Sequence, residues 1–285
     1  MKNLAKSIEN YTNPEFIPYG TDPEMDKLVD SKSYEDRINA IKGRYGLNKL
    51  VKDEYCEVRA AIAEQCYGLD QLINDESPDV RAEVAKKGYG LDKLINDEDF
   101  HVREAVASQG YGLDKLVNDE NSFVRIEVAK QGYGLDKLIN DKYWGVRIIV
   151  AKQGYGLDRL VNDESEYVRT EVARQSYGLN KLMNDEDRYV RAIVAEQGYG
   201  LDQLINDESP LVRNAVAEKG YGLDRFVNDK DWYVCYAVAR QGYGLNKFVN
   251  NEDWNVRDAV HCYLKEHNMT LEQWKEKYPE KVVGK

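Results

Sequence analysis

The chain is short of the residues from which catalytic and metal centres are built. Its 285 residues include three histidines (His101, His261, His267) and four cysteines (Cys56, Cys66, Cys235, Cys262). No CxxC occurs, and no metal-ligand spacing joins cysteines to histidines. That argues against a zinc site and a disulfide framework, and the thiols read as reduced in a cytoplasmic protein. There is no P-loop, no GxGxxG and no GxSxG, so no catalysis is expected. No apolar run reaches membrane-spanning length, and MKNLAKSIEN holds no signal-peptide core. Positive charge is also in deficit, with 51 acidic against 40 basic residues and a net charge of −11. Non-specific binding to nucleic acid or anionic membrane draws on a Lys/Arg surplus, so neither is expected. The NDED runs lack the spacing of a calcium loop and read as caps and helix-dipole partners. No cofactor or metal is expected, and the expected state is a monomer.

What the chain has in abundance is itself. The stretch Tyr89–Gly110, YGLDKLINDEDFHVREAVASQG, recurs with small changes ten times from Tyr45 to Leu264, always with a period of 22 residues. A fixed period in this range marks an all-α solenoid of stacked repeats. Each repeat reads as a short helix A and a longer helix B. Helix B is announced by a cap at the place of Asp99, occupied elsewhere by Ser77, Asn121, Ser165, Asp187, Ser209, Asp231 and Asp253. First-turn prolines Pro78 and Pro210 fit that start. Val102, Val106 and Ala107 follow at helical spacing, and Gly110 closes the helix in the left-handed conformation. Leu113, Leu116 and Val117 share one face of helix A, which is predicted to span a turn and a half to two, α or 3₁₀. Asn118 is its expected left-handed terminator. Neither helix is stable alone, so each apolar stripe must be buried on the next repeat.

The ends depart from the period. Residues 1–22 are an off-register extension that either folds back over the first repeat or stays loose. Residues 23–44 form a degenerate capping repeat, with Met25, Leu28, Val29, Ser33, Arg37, Ala40 and Ile41 in register and Asp36 where a core valine belongs. Residues 45–264 are the ten repeats. Residues 265–285 supply a capping helix and tail, started by Thr270 and ended by Pro279, with Leu271 and Trp274 turned inward. No linker or second domain interrupts this order.

One Asp and one Arg recur in almost every repeat. A residue needed once for chemistry is not needed nine times, so these read as a ladder of ion-paired hydrogen bonds. Arg is missing only at Cys235 and Asp only at Asn251. Both losses fall on one rung if the Arg of one repeat meets the Asp of the next. The expected rungs are Arg59 with Asp75, Arg81 with Asp97, Arg103 with Asp119, Arg125 with Asp141 and Arg147 with Asp163.

The phrase VRxxVAxxG, with its acidic cap and leucine-rich short helix, resembles HEAT-like repeats over residues 23–264. In its shortness it resembles the leucine-rich-repeat-variant solenoids, from which it departs by YGLD in place of a proline-containing link. The resemblance implies a right-handed superhelix with helix B on one face, a structural Asp–Arg ladder and, most often, a protein-binding scaffold. A minority of such folds are DNA-repair glycosylases or bilin lyases.

If constant positions build the solenoid, variable ones carry recognition. Ile126 and Ile148 are expected to be exposed beside Lys130, Lys152 and Arg174, giving an apolar patch rimmed by cations on helix B. The first turn of helix B carries aromatics, among them Trp144, Tyr167, Tyr189 and Trp232, which suit a hot-spot ridge or else cover the gap to the next repeat. Repeat five is the most irregular, and Tyr143, Trp144, Ile148 and Lys152 are its candidate contact site. The expected function is non-enzymatic binding of a partner protein. The alternatives are an acidic decoy for a basic nucleic-acid-binding surface and a HEAT-like nucleic-acid-binding or base-excising enzyme.

Overall fold

The 22-residue period folds as one turn of α-helix followed by a nine-residue α-helix. In the computed structural model, which describes residues 16–284, Leu91–Leu94 precedes Phe100–Ser108, and Leu179–Leu182 precedes Arg188–Glu196. The chain is all-α among the described residues and forms two compact units, Met1–Val150 and Ala151–Lys285. Within each unit, long helices pack on long helices of the next repeat. In the first unit Val80, Val84 and Ala85 of one repeat and Val102, Val106 and Ala107 of the next are fully buried. The second unit repeats this with Val190, Val194, Ala195 and Val212, Val216, Ala217. Each buried valine or leucine contributes about 1.5–3 kcal/mol.

Helix A is shorter than its apolar spacing suggests. Leu113–Leu116 is a single α-turn, and Leu116 and Val117 are buried while Leu113 is only half covered. The turn ends early because the Asp119 N–H bonds Leu116 O at 3.0 Å and the Asp119 side chain is held by its ladder partner. Asn118 is not left-handed. Among the described residues the positive-φ non-glycines are Arg44, Cys66, Ser176 and Asn268. The left-handed residue instead precedes helix A, at Gly112 with φ 61°. A Cβ there would lie 2.0 Å from Ile95 Cδ1. The glycine closing helix B meets open space at Gly132, Gly154, Gly198 and Gly220, whereas at Gly242 a Cβ would lie 2.1 Å from the Tyr263 ring. Hence only the closing position tolerates substitution, by Cys66 and Ser176.

Asp99, Asn121, Asp187, Asp231 and Asp253 accept a backbone N–H of their helix, but Ser77, Ser165 and Ser209 make no side-chain cap bond. In all of these repeats the cap residue's own N–H is held by the side chain two residues earlier, as Ser77 is by Asp75 at 2.9 Å.

Residues 1–15 of the N-terminal extension lie outside the described residues. Ile17 makes a parallel bridge with Tyr45, and Asp22 caps the helix Pro23–Val29. At the other end, Trp254–Glu266 runs 13 residues and overshoots the usual stop. Thr270 and Gln273 form a capping box for Leu271–Lys277. Trp274 is fully buried and donates its Nε1–H to Gly242 O at 3.2 Å, whereas Leu271 is only half-buried.

Candidate functional site

The recurring Asp and Arg form a zipper of bidentate pairs. Arg81 Nε donates to Asp97 Oδ2 at 2.7 Å and Nη2 to Oδ1 at 2.8 Å, while Nη1 reaches Asp75 O and Glu76 O of its own repeat. The same bidentate pair joins Arg59 to Asp75, Arg103 to Asp119 and Arg125 to Asp141 in the first unit. In the second it joins Arg169 to Asp185, Arg191 to Asp207 and Arg213 to Asp229. Arg37 and Asp53 add an ion pair at 3.0 Å. Arg147 Nη1 donates to Asp141 O, and Asp163 accepts the Ser165 N–H. At the interrupted rung Cys235 Sγ points to Asp229 O at 3.3 Å, and Asn251 still holds the Asp253 N–H.

Burial pushes the Asp97 carboxyl up, but the Arg81 bond and the Asp99 N–H outweigh it, leaving it below the usual carboxylate range. Asp75, Asp141 and Asp229 are lowered in the same way. Burial raises the Cys235 thiol to about 11. These groups are held in fixed ion pairs or buried.

The candidate binding residues are spread over both units. Ile126, Lys130, Tyr143, Trp144 and Ile148 lie in the first, and Lys152, Tyr167, Arg174, Tyr189 and Trp232 in the second. Ile126 and Ile148 are half-buried, not exposed. The position after the Arg faces the seam between long helices, where Ala82, Ala192 and Asn214 are buried. Asn214 even bonds Tyr233 O across that seam at 3.0 Å. Only the residue four further on, such as Lys130, Lys152 or Arg174, is exposed. Lys130 pairs with Glu127 of its own helix at 2.5 Å.

In repeat five Tyr143 stands at the cap position, and its N–H is held by Asp141 at 2.9 Å. A Cβ on Gly145 would lie 2.6 Å from the Tyr143 ring, so Gly145 makes room for it. The Tyr143 and Trp144 ring centroids are 5.4 Å apart.

The first-turn aromatics divide in behaviour. In the first unit Tyr34 stacks on Tyr55 and Phe100 on Phe123 at about 6 Å, which covers the gap between repeats. A cleft of about 350 Å³ lies beside Phe100, lined by Glu98, Asp99, Arg103, Glu120 and Asn121. In the second unit Tyr167 and Tyr189 are 55% exposed, Trp232 47% and Trp254 65%. A larger groove of about 620 Å³ over the long helices of the first unit is lined by Glu83, His101, Glu104 and Glu127. Two of its acids are answered locally, Glu83 by Lys86 and Glu127 by Lys130, each at 2.5 Å.

A second aromatic row was not anticipated from the sequence. Tyr133, Tyr155, Tyr177, Tyr199 and Tyr221, the first residues of successive repeats, are about 40% exposed. Their constancy in every repeat was the available signal, but a constant tyrosine reads equally as core.

No family model matches the sequence, and no curated protein matches it. Among solved structures, a designed armadillo repeat protein in complex with the peptide (KR)4 is similar at 16% identity, covering 85% of this chain and 98% of that one, with a TM-score of 0.12.

Proposed function

We propose that this protein is a non-enzymatic, monomeric scaffold that binds a partner protein through the first-turn edge of its long helices. The HEAT-like and leucine-rich-repeat-variant affinity belongs to this proposal. The observation that carries it is the ridge of Tyr167, Tyr189, Trp232 and Trp254 in the second unit, each about half exposed or more. Folding gains nothing from leaving large rings in water. An aromatic side chain buries roughly 200 Å² at about 25 cal/mol per Å², so covering the open part of Trp254 is worth about 3 kcal/mol to an interface. Tyr and Trp are also the residues that dominate binding hot spots. In the first unit Trp144, at the place of Trp232 and Trp254 in its repeat, is with Tyr143 and Ile148 the proposed secondary contact.

Affinity capture tests this with three baits: wild type, Trp232→Ala/Trp254→Ala and Trp144→Ala/Ile148→Ala. The expected result is a stoichiometric partner lost from a variant whose helical circular dichroism is unchanged. An identical set of proteins on all three baits contradicts it. A second reading is favoured by Glu76, Glu98 and Glu120 in the first unit and by Glu186 and Glu208 in the second, all almost fully exposed. There the protein acts as an acidic decoy for a basic surface. Its binding would collapse between low and moderate salt, whereas contact through the rings would persist.

A further inference from the structure

The two ends of the described chain show how this solenoid holds an extended segment. In the tenth repeat Lys281 O accepts the Gly244 N–H at 3.0 Å. The carboxamide of Asn246 then takes both backbone groups of Val283, donating to its O at 2.8 Å and accepting from its N–H at 3.2 Å. The Val283 side chain packs against bare Gly244, where a Cβ would meet its Cγ2 at 3.4 Å. Ahead of the first repeat the Ile17 N–H bonds Arg44 O at 2.9 Å, and the Gly46 N–H bonds Ile17 O at 3.0 Å. Arg44 and Gly242 are equivalent positions, and the Gly242 carbonyl is taken by Trp274 Nε1. Where these segments lie, the helix-A leucine is fully buried, as at Leu47 and Leu245. In repeats three to nine the same leucine, from Leu91 to Leu223, is only half covered.

The asparagine matters because a carboxylate only accepts hydrogen bonds, while a carboxamide both donates and accepts. Asp occupies this position in seven repeats, and Asn in three, at Asn48, Asn180 and Asn246. The first and last of those repeats carry the covering segments. The seventh does not. Among the described residues Ser176 O, the Gly178 N–H and the Asn180 carboxamide have no hydrogen-bond partner. Gly178 has φ 63° and abuts Val161 as Gly244 abuts Val227. Tyr177 beside it is 40% exposed.

We propose that repeat seven is a docking site for an extended segment of a partner protein, clamped through its backbone by Gly178 and Asn180. The register is that of Lys281–Val283 on Gly244 and Asn246. A carbonyl meets the Gly178 N–H, and two residues later a β-branched aliphatic residue lies on the glycine and offers both its backbone groups to Asn180. A second copy is not the occupant, since its Lys281–Val283 segment is already seated on its own tenth repeat. This site rests on the protein-binding reading but uses a different row of residues from the aromatic ridge, so each can fail alone.

The probe is the acetylated heptapeptide PEKVVGK, the sequence of residues 279–285, titrated to millimolar concentration into the full chain. Backbone amide shifts are read by NMR. The expected result is a saturable shift of the Gly178 amide and the Asn180 side-chain amide. Asn180→Asp, which installs the residue of seven other repeats and so preserves the fold, should weaken that shift about tenfold. Asp202→Asn should create a corresponding shift at Gly200. A peptide with proline in place of the valine equivalent to Val283 lacks the required N–H and should not bind. An unmoved Gly178 overturns the proposal, as does a shift equal in wild type and Asn180→Asp. Loss of captured partner with Trp232→Ala/Trp254→Ala, with the peptide shift intact, would separate the ridge from this clamp.

Discussion

Removing one arginine of the ladder should cost far more than removing a whole rung. In Arg191→Cys, the bonds from Nε and Nη2 to Asp207 and from Nη1 to Asp185 O and Glu186 O all vanish. Asp207, whose side chain is only 7% exposed, keeps one donor, the Ser209 N–H. An unmatched buried charge of this kind costs about 3–5 kcal/mol. Adding Asp207→Asn removes the charge and keeps an acceptor for Ser209, an arrangement the chain already contains at Cys235 and Asn251. The double variant should lose only about 1–2 kcal/mol, the net worth of the hydrogen bonds. The double variant should therefore be about 2–3 kcal/mol more stable than Arg191→Cys alone. The assay is urea unfolding of wild type, both singles and the double, followed by far-UV circular dichroism and fitted with nearest-neighbour coupling between repeats. A double variant as unstable as Arg191→Cys alone would refute the reasoning, because the penalty would then not come from the stranded carboxylate.

Four further outcomes follow from the same contacts. The Asp75, Asp97, Asp141 and Asp229 carboxyls are lowered in the fold, so their contribution is complete above the unfolded carboxylate value and disappears as pH falls through the folded one. Unfolding midpoints should be flat from neutrality to about pH 5 and decline below about pH 4; a midpoint that rises on acidification would contradict this. Cys235, buried with its thiol raised to about 11, should resist a disulfide reagent at about pH 8 until the chain unfolds, while half-buried Cys56, Cys66 and Cys262 react in the native state. Gly132→Ala should cost about 1 kcal/mol for the left-handed backbone alone, and Gly112→Ala should cost clearly more because its Cβ meets Ile95; equal melting points would refute the distinction. Trp274→Ala should remove about 3–5 kcal/mol from the C-terminal repeats, seen as faster amide exchange there and not in the first unit.

Periodicity made most of the architecture legible, because repeated valines, caps and glycines carry local and packing signals that agree. Register alone also pointed to rungs such as Arg81 with Asp97 and Arg103 with Asp119, since the gaps at Cys235 and Asn251 are offset by one repeat. What was illegible depended on neighbours. Ile126 and Ile148 sit at a helical angle that looks outward on an isolated helix, yet each is half-buried in the fold. The two glycines flanking each tyrosine look alike in sequence, yet only the second is pressed against the preceding helix A. The clamp on Val283 was invisible because nothing local marks Lys281–Val283 as a segment that folds back on Gly244.

The central claim, that the first-turn aromatics of the second unit are an interface rather than packing, has a direct readout in the chain's own fluorescence. Of its four tryptophans, Trp232 and Trp254 lie there and are exposed, Trp144 is exposed in the first unit, and Trp274 is fully buried. Acrylamide quenching is measured on the free protein and on its complex with the captured partner. The account predicts that quenching falls sharply and emission shifts to the blue when the complex forms, and that Trp232→Ala/Trp254→Ala removes most of the change. A stoichiometric complex whose tryptophans remain as quenchable as in the free protein would contradict it.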